Sequence, residues 1–434
     1  MRLNKKCLIY IFIFLLIFVI SFCYICFEMY IQGDEVWNYG FSYNIANGLV
    51  PYRDFNMVIT PLYSFMGSIF IKIFGSYLYS LHILNAILIS VIVLLLFKII
   101  KYRAFIIFPF LICYFISSYN FLSLFWLFII IYLCNYKNND NLIGLIISLL
   151  FLTKQTVGLC LFIPYFLYSK NKIKSLCMFF IPIFLFFIYL IYNNALFNFV
   201  DYCFLGMFDF GSKNTLISIW SFIELGILLV LLIMLFKCKF KNKELVYILF
   251  FQIMAFPIFD FYHFFVAFIP IVYLMVKNLK ARPVILGLVS FLVFCLSCDF
   301  NNFRVNYIED NYLKYRAKDE DFDVTVDLVN KYRDNDKLFL FLRNAYAVKL
   351  LINEPINKYD LINDGNMGYD GANRYIKEIK DICNKDTCIF IVDNELYYPK
   401  DVEVQTNQDI LEYVYSNFEK IDNVYSLDVL SNYK

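Results

Sequence analysis

Gln32–Phe74 reads QGDEVWNYGFSYNIANGLVPYRDFNMVITPLYSFMGSIFIKIF, and the way its closing segment is taken decides the fold. Leu62–Phe74 is apolar for about thirteen residues, roughly 20 Å of helix against a hydrocarbon core of roughly 30 Å. Length leaves it short of a full crossing. Charge decides the matter, because counting it as a span puts the later basic clusters on the side opposite Arg2, Lys5 and Lys6, against the positive-inside tendency. Taken as a re-entrant or interfacial helix, it removes that conflict. Gln32–Phe74 then forms one continuous unit at the outer face, carrying an adjacent carboxylate pair, Asp34-Glu35, beside the membrane.

Working outward, the 434 residues are 61% hydrophobic, 21% aromatic and 17% charged. With a mean hydropathy of +0.64, the chain falls outside the range of soluble globular domains and reads as a polytopic α-helical membrane protein. The net charge of +2 says little, because Lys and Arg are segregated by loop. No basic patch suited to nucleic acid is present. The apolar run Cys7–Phe27 follows Arg2, Lys5 and Lys6, is about twenty residues long and has no small-x-small cleavage site after it, so it reads as a retained first helix.

Spans are expected at approximately 8–27, 77–97, 104–118, 120–135, 142–153, 156–169, 175–192, 216–235, 244–260, 263–276 and 283–299, about eleven in all, with re-entrant or juxtamembrane helices in the first outer loop, 28–76. Lys98, Lys101 and Arg103, Lys170, Lys172 and Lys174, and Lys237, Lys239, Lys241 and Lys243 then fall in cytoplasmic loops. The N-terminus is cytoplasmic, and an odd number of spans puts the C-terminus outside. From about residue 301 the composition turns to an ordinary charged, soluble mix, which separates a transmembrane domain (1–300) from a small extracytoplasmic α/β domain (301–434). Within the latter, 337–342 (KLFLFL), 387–393 (TCIFIVD) and 424–429 read as buried strands alternating with helical patterns at 371–383 and 407–420.

Most of the thirteen cysteines lie in apolar runs at irregular spacing, where cysteine behaves as a small hydrophobe and specifies neither a disulfide framework nor a metal site. Cys383 and Cys388, in the polar C-terminal region, admit a disulfide if that region is outside the cell and two free thiols otherwise.

This topology collects Asp34, Glu35, Arg53, Asp54, His82, Lys154, Gln155, Asp201, Asp209, Lys213, Asp260 and His263 at the outer face, including both histidines of the chain. Ionisable groups of both signs at a membrane boundary mark a site, whereas the cytoplasmic ends show mostly Lys and Arg. In the Asp34-Glu35 pair one acid can face a cavity, positioned to take a proton from an attacking hydroxyl, while its neighbour turns toward structure. Lys154-Gln155, in FLTKQTVG between two tightly joined spans, puts a cation where a lipid phosphate can meet it. Asp260 and His263, in FPIFDFYHFF, share a helix face at i,i+3, suited to phosphate, to a divalent ion or to each other. Glu224, inside an apolar run, faces the bundle.

These residues resemble the membrane glycosyltransferases of the GT-C superfamily, in particular the branch of protein mannosyltransferases and aminoarabinose transferases. The likeness lies in GDE after the first span, IANGLVPYRDF, the helix TPLYSFMGSIFIKIFG, Lys154-Gln155 in TKQTVG, and Asp260-x-x-His263, in that order. It covers roughly residues 8–299. The resemblance implies a transferase that takes a sugar from a polyprenyl-phosphate carrier in the membrane and gives it, at the outer face, to a glycan, lipid or protein acceptor. It puts the role of base on Asp34, with Glu35 adjacent. Arg53, Lys154 and His263 are the candidates for the donor phosphate, with His82, Gln155 and Asp260 completing the set expected to bind substrate. The chain departs from the family pattern in carrying His82 where relatives tend to have Arg and in having no Lys directly before Pro61. A divalent cation is left open. The competing readings are a flippase for a lipid-linked glycan, whose usual repeat symmetry is not evident in the sequence, and an inactive scaffold for envelope assembly.

Overall fold

The computed structural model describes residues 5–27, 33–112, 118–136, 139–208, 218–256, 258–278, 320–333, 337–342, 345–363, 365–396 and 407–432. The expected span at 283–299 and the outer-face residues Asp209 and Lys213 lie outside the described residues. Contacts divide the chain into two units: Met1–Asn38, Thr60–Ile188 and Leu216–Glu309 form the first, and Tyr39–Ile59, Tyr189–Thr215 and Asp310–Lys434 the second.

The first unit is a helical bundle. Among the described residues, six helical segments are long and apolar enough to cross a membrane: Cys7–Cys26, Tyr79–Ile112, Tyr119–Tyr136, Lys172–Tyr192, Ile219–Lys237 and Phe261–Asn278. Shorter apolar helices occur at Leu62–Phe74, Asp140–Thr153 and Gln155–Tyr168, and, within the second unit, at Leu196–Phe208. In chain order the elements used below are α1 (Lys5–Phe27), α2 (Gly33–Ala46), α3 (Leu62–Phe74), α4 (Tyr79–Ile100), α5 (Ala104–Ile112), α6 (Tyr119–Tyr136), α7 (Asp140–Thr153), α8 (Gln155–Tyr168), α9 (Lys172–Tyr192), α10 (Leu196–Val200), α11 (Ile219–Lys237), α12 (Lys243–Phe251) and α13 (Phe261–Asn278). Helix α3 has the 13 residues read from the sequence. It stops at Gly75, whose φ of 98° is open to glycine at little cost. The basic loop expected after the second span is a tight turn, in which Lys101, with φ of 53°, breaks the helical run between α4 and α5.

Two packing details place the functional side chains. Helix α4 lies against α1, α3 and α6, and Asn85 of α4 donates to the Tyr63 hydroxyl of α3 at 3.0 Å. Helices α7 and α8 fold back on each other around the single extended residue Lys154 (φ −148°, ψ 106°). Gly158 makes that fold possible: a Cβ there would lie 2.2 Å from Phe151 Cα and 2.4 Å from Phe151 N. The Thr60 hydroxyl donates to the Phe151 carbonyl at 2.7 Å, tying the residue before Pro61 to the end of α7.

The second unit contains α14 (Glu320–Tyr332), β1 (Lys337–Phe341), α15 (Ala345–Leu351), α16 (Gly371–Cys383), β2 (Cys388–Asp393), α17 (Gln408–Asn417), β3 (Glu419–Val424) and β4 (Leu427–Ser431). The strands form one sheet in the order β1-β2-β4-β3, with β1 parallel to β2 and the other two pairs antiparallel. Phe339, Phe390, Tyr375, Ile379 and Phe418 lie in its core, and the Phe390 ring is 4.8 Å from that of Phe339 and 4.5 Å from that of Phe418. The strands expected at 337–342 and 387–393 are β1 and β2. The expected strand at 424–429 straddles a hairpin instead, because Tyr425 takes a left-handed φ of 54° and turns the chain. Helix α17 ends at Asn417, and the residues read as its last turn begin β3, whose Glu419, Lys420 and Ile421 are exposed. Cys383 and Cys388 form a disulfide. In the same unit, Asp201 accepts from Arg374 Nη1 at 2.7 Å and from the Tyr369 amide at 3.0 Å, anchoring the 366–374 segment.

Candidate active site

The two adjacent acids sit in the first turn of α2, where a negative charge suits the helix N-terminus. They turn to different partners. Glu35 is buried, with Oε1 2.8 Å from His82 Nε2 on α4, and the opposite ring nitrogen, Nδ1, is 3.6 Å from Cys26 Sγ at the end of α1. Asp34 is half-buried, and Asn38, one turn on, donates to its backbone carbonyl at 2.6 Å. The titratable groups in electrostatic reach of its carboxyl are Lys154, Asp260 and His263.

Lys154 is held buried by the α7–α8 fold. Its Nζ donates to Asn120 Oδ1 at 2.9 Å, lies 3.3 Å from Met254 Sδ, and stands 5.5 Å from the centre of the Tyr119 ring. Asn120, in the first turn of α6, also brings Nδ2 to 3.4 Å from His263 Nε2. At the start of α13 the Asp260 carboxylate accepts from the His263 amide at 2.7 Å, as a capping group does, and its two oxygens are 3.0 and 2.9 Å from His263 Nδ1. Next to it, the Tyr262 hydroxyl is 2.7 Å from Ser118 Oγ.

Electrostatics follow from this crowding. Burial pushes the Asp34 carboxyl above the ordinary carboxylate range; His263 and Lys154 oppose the effect and the Asp260 charge adds to it. Burial also pulls the Lys154 ammonium down to about 8, with Asp34 and Asp260 working against a further fall. Burial acts on Asp260 as well, but the hydrogen bonds from His263 outweigh it and hold that carboxyl below its usual value. The cluster therefore offers a carboxyl of raised basicity beside a cation kept in a largely dehydrated place, a pairing suited to taking a proton while stabilising a departing anion.

Of the residues read from the sequence, Asp34, Lys154, Asp260 and His263 come together in the first unit, while Glu35 and His82 pair with each other in the same unit. Gln155 is buried as the first residue of α8. Arg53 belongs to the second unit, where Nε and Nη2 each lie 2.8 Å from the carboxylate of Asp54, which also accepts from the Val50 amide at 2.6 Å. Asn120, Tyr119, Ser118, Tyr262 and Cys26 join these residues without having been expected from the sequence. The available signal was a pair of polar residues, Ser118 and Asn120, at the mouth of an apolar run. Among the described residues, no group of three or more His, Cys, Asp and Glu side chains is arranged to hold a metal ion.

No family model matches the sequence. No curated protein matches it either. Solved structures do share its fold. The crystal structure of ArnT from Cupriavidus metallidurans bound to undecaprenyl phosphate aligns with a TM-score of 0.57 at 9% sequence identity, over 100% of this chain and 99% of that one. The crystal structure of the same protein in the apo state aligns with a TM-score of 0.58, again at 9% identity, over 99% of each chain. The expectation of a helical membrane protein with a small C-terminal sheet is borne out in that coarser form: the chain is a multi-pass membrane protein that shares the fold of ArnT.

Proposed function

We propose that this protein is a glycosyltransferase that moves a sugar from a polyprenyl-phosphate donor to an acceptor at the outer face of the cell membrane. The observation that carries the reading is the meeting of Asp34, Asp260 and the buried ammonium of Lys154 in one cluster, on a fold shared with a protein crystallised with undecaprenyl phosphate. The reaction is a single displacement with inversion. An acceptor hydroxyl oxygen bonds to the anomeric carbon as the bond from that carbon to the phosphate oxygen breaks, and the phosphate leaves with the electron pair. Asp34 takes the hydroxyl proton, and Lys154 neutralises charge growing on the phosphate.

The N-terminus is assigned to the cytoplasm, and the region from about residue 301 to the exterior, on the expected set of about eleven spans. The Cys383–Cys388 disulfide supports that side, since such bonds persist in oxidising compartments. The acceptor class is a glycan, lipid or protein of the cell envelope.

The test is sugar transfer by the purified full-length protein in nanodiscs, from a polyprenyl-phosphate sugar, comparing wild type with Asp34→Asn. Loss of at least about a hundredfold in rate is expected for a general base. A variant as active as wild type removes Asp34 from the chemistry. Lipid translocation with no transfer by the wild type replaces the reading with a flippase.

A further inference from the structure

Asn120 lies between two ionisable groups of the cluster, and their chemistry fixes which way its amide points. Lys154 Nζ, 2.9 Å away, has only N–H groups to offer while it is charged, so the atom facing it is the carbonyl oxygen. The amide nitrogen, which only donates, is then the atom 3.4 Å from His263 Nε2. Nε2 has to accept. The imidazole proton is left on Nδ1, where the opposite edge of the ring independently requires it, because Nδ1 is 3.0 and 2.9 Å from the two oxygens of the Asp260 carboxylate. Reversing the amide would set its N–H groups against the ammonium and its oxygen against a lone pair. The other groups around the ring and the cation are Asp34, Tyr119 and Tyr262.

We propose that Asn120 is a positioning residue that holds His263 as the neutral Nδ1–H tautomer and fixes the Lys154 ammonium, so that a lipid phosphate meets one cation in this cluster and receives no hydrogen bond from His263. The Asp260–His263 pair then acts through Asn120, as a fixed negative support for Lys154, and makes no direct contact with the phosphate. The part concerning phosphate rests on the transferase reading above; the tautomer does not.

The chain has two histidines, His82 and His263, which makes the test tractable by nitrogen magnetic resonance on the full-length protein carrying isotope-labelled histidine. His263→Gln assigns the signals, and unchanged His82 signals show that each variant is folded. At neutral pH, wild-type His263 is expected to show a pyridine-type Nε2 and a pyrrole-type Nδ1. Asn120→Asp presents an acceptor to both neighbours, and should convert His263 to the doubly protonated form. Asn120→Leu removes the ammonium's acceptor, and should raise the KM for the donor about tenfold while changing kcat less. An Nε2–H or doubly protonated ring in the wild type, an unaltered ring in Asn120→Asp, or an unaltered donor KM in Asn120→Leu each overturns the proposal. If the wild type transfers no sugar at all, the transferase reading fails, and the ring signals alone decide the tautomer.

Discussion

Glu35 Oε1 and His82 Nε2 are 2.8 Å apart, and both side chains are buried. This contact assigns different work to two neighbouring acids. Glu35 ties the first turn of α2 to α4, while Asp34, one residue earlier, is left with its carboxyl in the electrostatic reach of Lys154 and Asp260. Removing one partner of such a pair strands the other in a place that water does not reach. Glu35→Gln and His82→Asn should each lower stability by about 3 kcal/mol, and the double variant by less than their sum. Thermal unfolding of the purified variants in nanodiscs checks this. Additive or negligible losses would show that the contact carries no coupling.

The place of Lys154 depends on how closely α8 approaches α7. A methyl group at residue 158 would collide with the Phe151 backbone, which cannot move aside as a side-chain tip can. Gly158→Ala should therefore cost about 1–3 kcal/mol and displace Lys154, raising the donor KM even where the variant folds. The comparison with Gly226→Ala is informative, because a Cβ there meets nothing within 4 Å. Equal effects of the two substitutions would contradict the packing argument.

The pH dependence of transfer follows from the two shifts at the site. Asp34 works as a base only when ionised, and its pKa is raised by burial, so the rate should climb with pH into a range above that of an ordinary carboxylate. Lys154 works as a cation only when protonated, and burial brings its pKa down to about 8, so the rate should fall as pH passes that value. The profile of kcat/KM is expected to be bell-shaped, with the alkaline limb lost in Lys154→Arg, whose guanidinium stays charged. A flat or steadily rising profile would separate Lys154 from the reaction.

Much of this arrangement was legible in the sequence, and the part that was not has physical reasons. Apolar run length and the basic flanks exposed the bundle, and the deficit of length in Leu62–Phe74 matched a helix of 13 residues. Lys154 stood out because a lysine between two apolar helices is costly unless partnered, and Asp260 and His263 because i,i+3 spacing sets them on one face. Asn120 gave no such signal. It is neutral, and its significance lies in neighbours 34 and 143 residues away. Cys26 and His82 are 56 residues apart and meet only because α1 packs on α4. In the small sheet the buried strands β1 and β2 were visible as apolar runs, whereas β3 was missed, its first two residues falling in the expected helix and its last in the expected strand: Glu-Lys-Ile-Asp-Asn-Val lies at a sheet edge with its first three residues exposed and lacks the continuous apolar signature.

The most direct test of the central claim, that Lys154 receives the phosphate of a lipid-linked sugar beside Asp34, is a structure of the full-length protein with a polyprenyl phosphate bound. A phosphate oxygen is expected within hydrogen-bond distance of Lys154 Nζ, with the Asn120 contact retained. A phosphate seated elsewhere, with the ammonium still engaged only by Asn120 and Met254, would contradict it.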